Sequence, residues 1–83
     1  MPLSNHGAEA ELIHEVRESL EKDKLSDDDM VTAIELLEDI SAKLSHNKKP
    51  GIKASMIRLK EFLIDAGANI TATLIAAKMQ RMF

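Results

Sequence analysis

Three histidines, a run of three aspartates and five closely spaced cations are the side chains of this chain with chemistry to offer, and their spacing decides how far each can go. Imidazole catalysis needs a second acid or base within hydrogen-bond reach and a partly dry cavity around both. His14 stands between Ile13 and Glu15 at the edge of an apolar helical side, and His6 and His46 fall in segments expected to lie outside helices. The acidic pairs at Asp27–Asp29 and at Glu38 and Asp39 have no histidine at ligand spacing, and cysteine is absent. Neither a metal cage nor a glycine-rich phosphate loop can be assembled from these residues. The expectation is a non-enzyme with no cofactor, no metal and no catalytic residue.

The aspartate run has a structural use. Ser26 stands where an N-cap belongs, Asp27, Asp28 and Asp29 fill the first turn where a helix dipole favours anions, and Leu25 and Met30 occupy the two positions of a hydrophobic staple. A helix is predicted to start at Ser26.

The cations Lys48, Lys49, Lys53, Arg58 and Lys60 surround a predicted loop and the helix after it. Lys48, Lys49, Lys53 and Arg58 are the candidate contacts to phosphate or another anion, which salt would weaken steeply. Against nucleic acid stand the absence of an aromatic platform, with two Phe and no Trp or Tyr, and an otherwise acidic surface. Lys53 and Arg58 are expected instead to answer glutamates of the first helix.

Charge is unevenly divided. Residues 1–46 carry four basic groups against twelve acidic ones, a balance of −8, and residues 47–83 carry seven basic groups against two acidic ones, a balance of +5. Opposite halves attract, either by folding back on each other or by pairing between chains, which steers association more than it adds stability.

The elements that must position these groups are helical. At 83 residues and 9.2 kDa the chain is one small domain, its 45% hydrophobic content too high for disorder, and without disulfides or metal the remaining staple is oligomerisation. Residues 1–7 read as a flexible N-terminus. A first helix is predicted from about Ala8 to Lys24 with Leu12, Ile13, Val16 and Leu20 on one side, and a second from Ser26 to about His46 with Met30, Ala33, Ile34, Leu37, Ile40 and Leu44. Their short connection makes 8–46 an αα-hairpin. Pro50 and Gly51 predict a loop from His46 to Gly51.

The last segment, 52–82, has a stripe of Ile52, Met56, Leu59, Leu63, Ala66, Ile70, Leu74 and Ala77, with Phe62, Ile64, Ile75 and Met79 beside or off it. Two arrangements are open. An unbroken helix of about 31 residues would run roughly 46 Å and overhang a hairpin whose first helix spans only about 25 Å. A break at Gly67, with Asn69 capping a fourth helix from Ile70 to Met82, would fold the chain into a four-helix unit, and of the two the break is preferred. The string Leu63–Ala72, LIDAGANITA, resembles the end of an ankyrin repeat. The residues before it lack the Thr-Pro-Leu-His opening, and no period of about 33 residues recurs, so the likeness marks Gly67 only as a helix-ending context.

The fold expected is therefore all-α, a hairpin plus a long or Gly67-broken C-terminal helix, in a three- or four-helix bundle that oligomerises. Leu63, Ile70, Leu74, Ile75 and Met79 are the expected oligomer interface. The function expected is a protein–protein interaction or oligomerisation module, of the size common among small bacterial or phage accessory proteins. The alternatives are a small acidic inhibitor or antitoxin-like protein docking on a basic target, and a DNA-binding regulator using residues 48–60. No apolar run reaches the roughly 18 residues of a membrane span, and the N-terminus lacks signal-peptide character, so a cytoplasmic location is expected.

Overall fold

Ser26 accepts a hydrogen bond from the Asp29 amide at 3.2 Å while its own backbone is extended at φ −61° and ψ 160°, the geometry that starts a helix. Leu25 and Met30, the two halves of the staple, both pack against the core. The computed structural model describes residues 4–46 and 49–82. These form four helices: α1 (Ser4–Asp23), α2 (Asp27–Ser45), α3 (Lys49–Asp65) and α4 (Asn69–Met82). Among the described residues there is no strand.

The boundaries depart from expectation at three places. α1 begins at Ser4 rather than near Ala8, so residues 4–7 belong to it. α3 begins at Lys49, placing Pro50 and Gly51 inside its first turn rather than in a loop. Proline is well tolerated there, because the first turn has no intrahelical acceptor for its missing N–H and its fixed φ is already helical.

The C-terminal segment breaks at Gly67, the preferred of the two arrangements, and the third departure is confined to the cap that follows. Gly67 has φ +82°, its amide donates to the Ile64 carbonyl at 3.1 Å, and the Ala68 amide donates to the Leu63 carbonyl at 2.8 Å. These two bonds are a Schellman ending, which turns the chain out of α3. The unbroken alternative of roughly 46 Å is also longer than the molecule, whose longest extent is 39 Å. Within the fourth helix, Asn69 is the first helical residue rather than the cap, since the first helical bond of α4 runs from the Ala72 amide to the Ala68 carbonyl at 3.0 Å.

Each helix packs on the next in sequence and α4 closes back on α1, while among the described residues the backbones of the diagonal pairs, α1 with α3 and α2 with α4, stay apart. The four-membered ring encloses one core: Leu12, Val16 and Leu20 from α1, Ala33, Leu37, Ile40 and Leu44 from α2, Ile52, Met56, Leu59 and Leu63 from α3, and Ala68, Ala72 and Ile75 around α4. In α2 and α3 the buried positions advance by four, three and four residues, the spacing that keeps one seam of a helix against its neighbours. Among the described residues neither Lys53 nor Arg58 forms an ion pair with a glutamate of α1.

Candidate functional site

The seam between α1 and α4 concentrates the polar chemistry of the bundle. Ala68, at the cap position of α4, has no side-chain acceptor, so the first amides of that helix need one from elsewhere. Asp23, the last residue of α1, supplies it: its carboxylate accepts from the Ile70 amide at 3.3 Å, from the Thr71 amide at 2.8 Å and from the Thr71 hydroxyl at 2.6 Å. The Thr71 hydroxyl also lies 2.9 Å from the Ser19 hydroxyl. A hydroxyl has one proton. With Thr71 giving its proton to the carboxylate, Ser19 is the donor in the second bond. Ser19 and Thr71 are buried, and among the described residues no buried side-chain polar atom lacks a partner.

Two turns along the same seam, Lys78 of α4 meets Glu15 of α1 at 2.9 Å. On the solvent side lies an open depression of about 280 Å³ lined by Glu15, Glu18, Ser19, Lys22, Ile70 and Leu74. Ile70 is 56% exposed there, and Leu74 is partly buried one turn further on. The depression thus has an apolar wall from α4 and a charged wall from α1.

The other five-residue expectation, an interface of Leu63, Ile70, Leu74, Ile75 and Met79, divides in two. Leu63 and Ile75 are 0% and 1% exposed and belong to the core of this chain, so in this fold they have no surface to offer a second one. Met79 is partly buried against that core. Ile70 and Leu74 are the members that line an open surface. The break at Gly67 causes the division, because the fold it permits lets α4 turn Ile75 inward between α1 and α3.

The cation group is also dispersed. Arg58 faces α2, where it acts on Asp39, while Lys53 and Lys60 fall on another side of α3. Lys48 lies outside the described residues, and of Lys49 only the backbone is described. His14 lies 3.5 Å from Glu18 on the exposed side of α1, and His46 follows α2 as its C-cap. Among the described residues no group of His, Asp and Glu is arranged to hold a metal ion. No described helix is long and apolar enough to cross a membrane.

One cluster escaped the sequence reading. Ser55 of α3 is buried, and its hydroxyl lies 2.7 Å from the Asp39 carboxylate and 2.6 Å from the Lys43 ammonium, while Lys43 and Asp39 are 3.0 Å apart. The lysine stem crosses the start of α3, where a Cβ on Gly51 would meet it at 3.4 Å. The Ser55 hydroxyl and the Lys43 ammonium beside Asp39 hold its carboxyl below its ordinary value. The hydroxyl proton points at the carboxylate and the lysine donates to both neighbours. This closed triangle clamps α2 to α3. The sequence carries only the i, i+4 spacing of Asp39 and Lys43, and nothing local ties them to a serine sixteen positions from the aspartate.

No family model, no curated protein and no solved structure matches this chain.

Proposed function

We propose that the chain is a non-enzymatic interaction module that self-associates through the α1/α4 face, with Ile70 and Leu74 as its apolar contact. The observation that carries this reading is Ile70, a branched side chain more than half exposed beside a partly buried leucine in an open depression. Single exposed apolar residues are ordinary on monomers. An exposed isoleucine beside a partly buried leucine in a concave site, rimmed by Glu15, Glu18 and Lys22, has the layout of a small interface, apolar in the middle and polar at the edge.

The test is sedimentation of the full chain at several concentrations in high salt, where apolar contacts persist and exposed ion pairs are screened. The wild-type chain is expected to gain mass with concentration, and Ile70→Asp is expected to abolish the gain without loss of helicity. An aspartate in the first turn of α4 suits the helix dipole but stands beside the Asp23 carboxylate, so Ile70→Ser is measured in parallel, and loss of association in both variants with helicity retained reports on the contact rather than on folding. A wild-type chain that stays monomeric throughout, or an Ile70→Asp chain that associates as well as wild type, overturns the reading.

A further inference from the structure

Two stripes on the outside of the bundle are used by neither the core nor the α1/α4 depression. On α2, Val31, Glu35, Glu38 and Ala42 stand at i, i+4, i+7 and i+11, one face of a helix, and all four are exposed, Val31 at 59%. On α3, Lys53, Ile57, Lys60 and Ile64 stand at the same intervals, Lys53 and Ile64 exposed, Ile57 and Lys60 partly buried. Among the described residues Lys53 and Lys60 make no ion pair, and neither does Glu35; Glu38 has a loose one, 3.9 Å from Arg17. Glu61, next to the α3 stripe, is the one acidic group beside it on that helix.

The two stripes complement each other and cannot meet inside one chain, since the α2 stripe lies across the helix from Ala33, Leu37, Ile40 and Leu44 and so points away from the bundle. Set antiparallel, Val31 comes level with Ile64, Glu35 with Lys60, and Ala42 with Lys53, while Glu38 faces Ile57 between the two lysines. We infer that α2 of one copy docks antiparallel on α3 of a second copy through these stripes. The inference rests on the reading of the chain as a self-associating module, and places a second contact away from Ile70. Each copy presents both stripes and uses a different one in each contact, so the association is head-to-tail, as a closed ring or an open chain of copies. Its ion pairs are solvent-exposed, which makes the contact weak and salt-sensitive.

The test uses the full chain in low salt, with circular dichroism to confirm that each variant is folded. Lys53→Glu with Lys60→Glu, and separately Glu35→Lys with Glu38→Lys, are each expected to weaken association on the order of tenfold. An equimolar mixture of the two variants restores it, because acidic α2 of one again meets basic α3 of the other, and the fourfold reversal in one chain restores it too. If the mixture stays dissociated, or if either double variant assembles as wild type does, this contact is wrong. The loss of high-salt association in Ile70→Asp would then still stand as the separate measure of the α1/α4 reading. Loss of binding to a duplex oligonucleotide in Lys53→Glu with Lys60→Glu, with no change in mass, assigns the lysines to nucleic acid and also overturns the pairing.

Discussion

The carboxylate of Asp23, at the end of α1, lies 2.6 Å from the hydroxyl of Thr71, in the first turn of α4, across 48 positions of sequence. The same carboxylate takes the amides of Ile70 and Thr71, so one side chain acts as the cap of a helix to which it does not belong. Asp23→Ala is expected to cost about 2 kcal/mol, the upper part of the range for lost caps, because a buried hydroxyl also loses its acceptor. Asp23→Asn keeps an acceptor and should cost about half as much. Chemical denaturation gives the totals. Hydrogen exchange localises them: amides 70 to 72 should lose protection first, and equal loss across all four helices would show that Asp23 does not act as the cap of α4.

Two residues of the described chain have positive φ outside the ordinary regions, and they predict opposite signs. Gly67, at +82°, ends α3, and a Cβ there would meet nothing within 4 Å. Gly67→Ala is therefore expected to destabilise by about 1 kcal/mol through backbone strain alone. Lys24, at +53°, ends α1 with a side chain in the left-handed region. Lys24→Gly relieves that strain and should stabilise by about 0.5 kcal/mol after the added freedom of the unfolded chain is counted. Thermal midpoints that move the same way in both variants would contradict the backbone account.

Asp39 supplies a pH dependence. The Ser55 hydroxyl, then Lys43, keeps its carboxyl below the ordinary value, so the folded state favours the ionised form. A carboxyl depressed on folding contributes stability that is present above its unfolded value, near pH ~4, and is lost as pH falls through the folded value. The stability difference between wild type and Asp39→Asn is thus expected to be steady from about pH 7 to about pH 5 and to shrink below about pH 4. The difference should be small, because the Asp39 side chain remains 45% exposed. A gap that widens on acidification reverses the assignment.

What the sequence showed depended on how local its cause was. The cap at Ser26 is formed by residues within five positions, and the 3.6-residue periodicity of Ala33, Leu37, Ile40 and Leu44 is intrinsic to one helix; both were legible. Gly67 was legible as a breaking point, since its conformational freedom belongs to the residue, but whether the chain used it depended on what α4 gains by folding back. Pro50 predicts a loop but falls in the first turn of α3, because proline only disfavours helix at the residue before it and readily permits helix after it. The Asp23–Thr71 and Asp39–Ser55 contacts were not legible at all, as each joins helices whose pairing only the closed ring decides. For the same reason the interface residues could be chosen by apolarity but not sorted into inner and outer members.

That sorting is open to measurement. Leu63, fully buried, should lose about 2–5 kcal/mol on truncation to Ala, the usual range for a core leucine, and the loss should be the same at every protein concentration. Ile70, more than half exposed, should change the stability of the monomer by no more than about 0.5 kcal/mol on replacement by Ser. If the α1/α4 face binds a second copy, the Ile70→Ser penalty grows with concentration, because association stabilises the folded state by mass action and the variant loses that share. Denaturation of both variants at two widely separated concentrations distinguishes the roles. A Leu63→Ala penalty that rises with concentration would place Leu63 at the contact between copies rather than in the core of one.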